Sequence, residues 1–230
     1  MIMVIGGEKG GTGKSRIAQN MAVYFAVEQQ KSVVLVDCET NKSTSSWCID
    51  RNRNTNLVPI KCISLNGKIR NELLNLAHHY DVVIVDCSSH DNLALRSSIA
   101  VAQHVLLPLK PKRRDMHSIS IMEDVVATCR MVNPKVNAAF VLTQCSTITS
   151  MSARINAAKE HCRGFEIQVL NSVTYSRNVY DDSAVEGGSV LESDTKGKAA
   201  TEIRAIAEEL VARAISKNDW RPRIDDLASA

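Results

Sequence analysis

The run Glu8-Lys9-Gly10-Gly11-Thr12-Gly13-Lys14-Ser15 packs three glycines, two lysines and two hydroxyls into eight positions. Glycines let successive backbone N–H groups turn inward on one anion, and the helix expected to start here adds its partial positive charge. Lys14 is spaced to reach the β- and γ-phosphates of a nucleotide and the Ser15 hydroxyl to ligate Mg²⁺, with Arg16 following on the helix. The chemistry implied is polyphosphate binding with a divalent cation. The usual spacing G-x-x-x-x-G-K-[ST] asks for glycine where this chain has Glu8, and Lys9-Gly10-Gly11 follows in exchange.

Acidic residues end two short apolar runs. Asp86 follows the Val-Val-Ile-Val of 82–85, Asp37 follows the Val-Val-Leu-Val of 33–36, and Glu39 lies two positions further on. A carboxylate at the C-terminal edge of a sheet can hold Mg²⁺ or its water, so Ser15, Asp37 and Asp86 form the candidate metal set.

For these groups to meet, the loop and the acids must share one edge of one sheet. Runs 2–5, 33–36, 82–85, 105–107, 138–142 and 166–170 are apolar and largely β-branched, as suits strands covered on both faces, and a weaker strand is expected at 57–63. Helical spacing falls between them, at 15–29, 69–79, 93–102, 116–131, 152–162 and 199–216. That alternation predicts an α/β fold with a doubly wound, mostly parallel sheet and helices on both faces. Pro134 stops the helix before it, and 181–195, with two glycines and few large apolar residues, reads as a loop-rich connection over the nucleotide edge. One domain is expected over 1–216 and a C-terminal tail over 217–230.

Composition narrows the class. The 230 residues are 44% hydrophobic and 23% charged, which excludes disordered, collagen-like and disulfide-scaffold chains. Apolar runs fall far short of the roughly 20 residues that span a bilayer, and the N-terminus lacks a basic region before its apolar run, so a cytoplasmic location is expected. Seven cysteines without a C-x-x-C pair read as buried, reduced thiols, and the histidines show no zinc-ligand spacing. A net charge of +3 leaves room only for a local basic patch, and 3 Phe, 4 Tyr and 2 Trp are too few for a base-stacking module.

Together KGGTGKS, the D-x-[DE] of Asp37 and Glu39, and the VIVD of 83–86 resemble the deviant-Walker P-loop ATPases of the ParA/MinD family. The likeness is strongest to small plasmid-partition ParA proteins that lack an N-terminal DNA-binding domain. The VLLPLKP of 105–111 is similar to the family's strand and proline loop, and 176–180 with 188–190 to its late nucleotide-edge segment. This resemblance implies ATP and Mg²⁺ as cofactors. It implies that Lys9 is the signature lysine, which crosses to the partner subunit's phosphates in an ATP-dependent homodimer, as an arginine finger would. Glu39 takes the place of the family's water-orienting Asp, with Asp37 as the second candidate, and the added methylene predicts slow hydrolysis. Thr143 and Gln144 fall where the family reads adenine. The implied catalytic set is thus Lys9, Lys14, Glu39 and Asp37; the nucleotide contacts are Lys9, Gly10, Gly11, Thr12, Gly13, Lys14, Ser15, Arg16, Thr143 and Gln144.

The activity so implied is DNA partition by a weak ATPase. A MgATP-bound dimer would bind nucleoid DNA without sequence preference, and a ParB-like centromere-binding partner would release it by stimulating hydrolysis. Arg177, Lys198 and Arg204 are the expected DNA contacts, with Lys110, Lys112, Arg113 and Arg114 as the other basic group. The same switch could position a protein cargo, and sequence does not separate the two. A membrane-cycling MinD-like regulator is disfavoured, because the tail at 220–227 is broken by Pro222 and ends acidic, so no membrane partner is expected. A metabolic ligase is opposed by the signature lysine, and a metal-cluster ATPase by the lack of paired cysteines.

Overall fold

Seven parallel strands form one sheet in the order β3-β2-β4-β1-β5-β6-β7. They are β1 (Ile2–Gly7), β2 (Val33–Asp37), β3 (Lys61–Ser64), β4 (Val82–Ser89), β5 (His104–Leu109), β6 (Asn137–Cys145) and β7 (Gln168–Tyr175). The computed structural model describes residues 1–89 and 93–215, so the tail expected at 217–230 lies outside the described residues, as does Ser216 at the end of the last predicted helix. Every residue of β1, β2 and β5 is buried, which a strand permits only when both faces are covered. The covering helices are α1 (Lys14–Val23), α2 (Ser43–Arg53), α3 (Arg70–His79), α4 (Leu93–Ile99), α5 (Arg113–Met116), α6 (Ser118–Arg130), α7 (Ser152–Arg163), α8 (Val179–Asp182), α9 (Val190–Ser193) and α10 (Lys198–Ile215).

Side chains alternate between two cores, as the period of a strand requires. Ile2 and Val4 join Leu73, Leu95, Ile119 and Ile155 from α3, α4, α6 and α7 on one face. Met3 and Ile5 join Ile17, Met21, Ile203 and Leu210 from α1 and α10 on the other. From β1 the chain passes to β2 on one side, and from β5 to β6 on the other. Their divergence opens a crevice beyond the carboxyl ends of β1 and β5, where open α/β sheets bind ligands.

Several elements depart from the sequence expectation. The helix expected at 15–29 is α-helical only to Val23 and finishes as a π-turn over Tyr24–Glu28. The one expected at 116–131 starts earlier and is split at His117 into α5 and α6. At 93–102 the helix closes at Ile99 in overlapping turns, with Val101 N–H on the Ser98 carbonyl and Ala102 N–H on that of Ile99. The strand expected at 166–170 runs from Gln168 to Tyr175, because an edge strand half open to solvent alternates polar and apolar residues and so resembles a loop in composition. The weak strand at 57–63 is Lys61–Ser64, at the other edge. Within the expected loop at 181–195 the chain forms the end of α8, a 3-10 turn over Val185–Gly187 and α9. Six of the seven cysteines are buried, Cys62 is half-buried, and all are free thiols. Among the described residues no helix is long and apolar enough to cross a membrane.

α2 had no counterpart in the sequence reading, since its sequence STSSWCIDRNR carries no apolar stripe. Its buried face is Thr44, Trp47, Cys48 and Arg51. Arg51, wholly buried, lies 5.3 Å over the Trp47 ring and donates to the Val58 and Gly187 carbonyls and to both Glu192 oxygens, at 2.7–2.9 Å. Trp47 Nε1 donates to the Gly188 carbonyl at 2.9 Å. At Gly187 (φ 75°) a Cβ would sit 2.1 Å from the Arg51 backbone nitrogen, so only glycine fits. These contacts latch α2 to 187–192. Arg51→Ala should therefore destabilise the chain by about 3 kcal/mol, because it strands Glu192 and two carbonyls in a partly buried site. Chemical denaturation measures this, and a loss within about 0.5 kcal/mol would show that the latch adds nothing to stability.

Candidate functional site

Residues 8–13 join β1 to α1 and form the phosphate loop. Gly11 (φ 70°) and Gly13 (φ 89°) lie in the left-handed region, and the Gly13 carbonyl accepts the Ile17 N–H at 2.9 Å as α1 begins. The loop closes on itself: Lys14 Nζ donates to the Lys9 carbonyl at 3.1 Å and Thr12 Oγ1 to the same oxygen at 3.4 Å. Burial lowers the Lys14 pKa, and the nearby Glu39 and Asp86 carboxylates partly offset it. Lys9 itself is half-buried.

Thr143 and Gln144 brace this loop from the end of β6. The Thr143 hydroxyl stands 2.7 Å from the Thr12 carbonyl and 3.2 Å from that of Leu109, while Gln144 Nε2 donates to the Gly11 carbonyl at 2.9 Å. Gln144 takes a left-handed backbone (φ 51°) to do so. Both residues also line a cleft with Gly13, Arg16, Ser176 and Asn178, beside the phosphate loop. Arg16 is ion-paired with Asp181, also on the cleft wall.

Three carboxylates converge next to Ser15, and three consecutive hydroxyls at the start of α2 meet them one by one. Ser43 Oγ lies 3.3 Å from Glu39 Oε2 and 3.2 Å from Ser15 Oγ. Thr44 Oγ1 donates to Asp86 Oδ2 at 2.7 Å, and Ser45 donates its N–H and its hydroxyl to Asp37 Oδ2 at 2.8 and 2.7 Å. Asp37 Oδ1 takes the Glu39 N–H at 2.9 Å. Asp37 thus caps the first turn of α2 and aims Glu39, with three hydrogen bonds already made. Glu39 Oε2 is 3.5 Å from Ser15 Oγ, at the head of α1. Ser43, Thr44 and Ser45 were missed from the sequence. Their signal was available as a run of good N-terminal cap residues beginning six positions after the strand-end acid Asp37.

Asp86 stands in register with Asp37 on the adjacent strand and with Ile5 on β1. Among the described residues its Oδ1 is the one buried side-chain oxygen or nitrogen without a hydrogen-bond partner. Burial pushes its pKa up to about 7, with the Thr44 and Ser15 hydroxyls pulling it back and Glu39 and Asp37 adding to the rise. A buried carboxylate with an unmet oxygen, beside a serine hydroxyl and a loop built for anions, fits Mg²⁺ held with a nucleotide's phosphates. Ser15 and Asp86 would hold the cation directly or through its water.

The basic residues expected on DNA are not brought together as free charge. Arg177 donates to Glu202 at 2.8 Å and stacks 5.4 Å from the Tyr175 ring, and Arg204 makes a forked pair with Glu28, its shortest contact 2.6 Å. Lys198 is exposed, as are Lys112, Arg113 and Arg114.

Asp86 generates a pH dependence. Its folded pKa lies above the unfolded value of about 3.9, so its protonated form favours folding, and that contribution is lost as pH rises through about 7. Without nucleotide or metal, wild type should lose stability relative to Asp86→Asn between pH 5 and 8, by roughly 2–4 kcal/mol. Denaturant titrations at both pH values test it, and a constant difference between the two proteins would remove Asp86 as the titrating group.

The model of the CobQ/CobB/MinD/ParA nucleotide binding domain matches residues 3–187. A maintenance of carboxysome distribution protein A from Halothiobacillus neapolitanus is 27% identical over 206 residues, covering 88% of this chain and 93% of its own. An ATP complex of a Cyanothece McdA variant superposes with a TM-score of 0.68 at 13% identity, over 96% of this chain and 98% of that one. The septum site-determining protein MinD from Pyrococcus horikoshii, complexed with Mg-ADP, gives 0.69 at 17% identity, over 95% and 98%. At those identities the structures speak for the fold, and the matched domain spans the loop, the carboxylates and the cleft. The chain belongs to the CobQ/CobB/MinD/ParA nucleotide-binding domain family of P-loop proteins.

Proposed function

We propose that this chain is a MgATP-driven switch that distributes a protein assembly within the cell. The nucleotide half of the reading rests on one observation: Glu39, Ser15 and the unmet oxygen of Asp86 gather beside the phosphate loop. The loop amides and Lys14 bind the β- and γ-phosphates, and Ser15 and Asp86 would hold a Mg²⁺ that, when bound, would supply charge neutralisation at the phosphates. Glu39 orients the attacking water. Lys9 reaches across an ATP-dependent homodimer to the partner's phosphates, so closure and hydrolysis are coupled. Glu39 is one methylene longer than the family's Asp, and the Ser43 hydroxyl steadies it. Turnover is accordingly slow without a stimulating partner.

The cargo half is supported by the carboxysome-distribution relative, which shares nearly the whole length of this chain. This favours the protein-cargo alternative over plasmid or chromosome partition with a ParB-like partner. Non-specific DNA remains the track of the proposal, bound by the ATP dimer. Its contacts shift toward Lys112, Arg113 and Arg114, with Lys198, because Arg177 and Arg204 spend their charge on Glu202 and Glu28.

Glu39→Ala should keep MgATP affinity and dimerise, yet lose hydrolysis by 10²-fold or more on the order expected for a positioned water. Sedimentation with ATP and a phosphate-release assay check this. Loss of ATP binding would make Glu39 a structural or metal-holding group, and retained turnover would move the role to Asp37. Lys9→Ala should bind ATP as a monomer, and a variant that still dimerises and hydrolyses would make Lys9 a surface residue.

Deleting the gene and imaging tagged protein assemblies decides the cargo. Clumped assemblies with unchanged plasmid inheritance are expected, whereas plasmid or chromosome loss with evenly spread assemblies would return the chain to partition.

A further inference from the structure

We propose that Lys110 is a third cation of the phosphate site, whose ammonium contacts the terminal phosphates of a bound nucleotide, either its own or a partner subunit's. β5 pairs with β1 in parallel, so its carboxyl end emerges beside the loop that leaves β1. The exit from β5 is Pro108-Leu109-Lys110-Pro111, with a proline fixing the backbone on either side of the lysine's neighbourhood. Three successive residues of this exit run alongside the end of β1 and the loop that follows it. The Pro108 carbonyl stands 3.8 Å from where a Cβ would project at Gly7, and the Leu109 carbonyl shares the Thr143 hydroxyl with the Thr12 carbonyl. Lys110 Nζ stands 3.8 Å from the corresponding Cβ position at Gly11. Glycine at 11 takes the left-handed turn, and a side chain there would stand in ordinary contact with the ammonium, so Lys110 lies close against this stretch of the loop.

What the ammonium lacks is an anion. Lys110 is half-buried, and among the described residues none offers its Nζ a carboxylate or a hydrogen-bond acceptor. The loop carries Lys9, and Lys14 follows it directly, so the segment against which Lys110 lies already holds two further cations. A half-buried charge so placed is costly until an oxyanion arrives, and the loop it leans on is shaped to hold one. The leaning of Nζ onto Gly11 separates Lys110 from Lys112, Arg113 and Arg114, which stand exposed two to four positions on. Its ligand is thus a polyphosphate at the loop rather than a backbone phosphate of DNA.

The inference rests on nucleotide binding at this loop and not on the cargo reading. Calorimetric titration of the full chain with MgATP and with MgADP tests it in Lys110→Ala, Lys110→Gln and Lys110→Arg, with wild type and Lys14→Ala as references. The neutral variants should weaken MgATP about 10-fold, the size of one charge-assisted contact, and MgADP by much less, while Lys110→Arg recovers most of the loss. If the loss persists in a Lys9→Ala background that stays monomeric, the contact is to the chain's own nucleotide. If it appears only where ATP drives dimerisation, the contact is to the partner's. Wild-type binding, dimerisation and turnover in Lys110→Ala would overturn the proposal, and so would an equal loss for both nucleotides with a lowered Tm, the mark of a merely structural residue. Failure of wild type itself to bind MgATP would instead remove the nucleotide reading of the whole site.

Discussion

Like charges held close in a dry place repel, and this site gathers Asp37, Glu39 and Asp86 at one sheet edge. The first turn of α2 answers each carboxylate with one hydroxyl, from Ser43, Thr44 and Ser45. The three are not treated alike. Asp37 receives three hydrogen bonds and is saturated for structural ends, Asp86 receives one on Oδ2 and keeps Oδ1 unmet, and Glu39 is touched only at 3.3–3.5 Å. The three carboxylates thus differ in how fully their oxygens are hydrogen-bonded, and that grading agrees with the separate roles proposed for them.

Everything else in the fold serves to keep that turn where it is. The far end of α2 is locked by Arg51 and Trp47 to 187–192, and the neighbouring Ser189 and Val190 both donate to Asn20 Oδ1 of α1, at 2.8 and 3.2 Å. α1 begins at the phosphate loop. The chain thereby closes a ring of contacts from loop to α1, to 187–192, to α2, and back to the carboxylates. The nucleotide-edge residues 174–181 enter the ring just upstream of 187, and Arg16 joins them to α1 through Asp181. The late segment is thus joined to the turn beside Glu39 and Asp86 through packed side chains and hydrogen bonds.

Much of this was legible in the residues. The loop, the strand-end acids and the βα alternation have strong local signals, because glycine conformations, apolar runs and helix starts are short-range effects. What escaped was non-local. α2 is held by a buried arginine and a tryptophan instead of an apolar stripe, so no periodicity announces it. Thr143 and Gln144 were placed at the base by analogy, yet their side chains reach the loop carbonyls, which only the pairing of β5 with β6 brings near. Arg177 and Arg204 look like free charge in the sequence, whereas Glu28, which neutralises Arg204, lies 176 positions away.

A cation would meet Asp86 and Ser15 in different circumstances. Asp86 can accept a metal or its water on Oδ1 without giving up Thr44, so its half of the site is preformed. Ser15 is different, since its hydroxyl lies within reach of both Glu39 and Ser43. The Ser15 oxygen has two lone pairs, so it could meet a cation with one and still accept the Ser43 proton with the other. Of the three carboxylates Glu39 is thus the one with most freedom to move, since among the described residues only these two hydroxyls reach its side chain, at 3.3–3.5 Å.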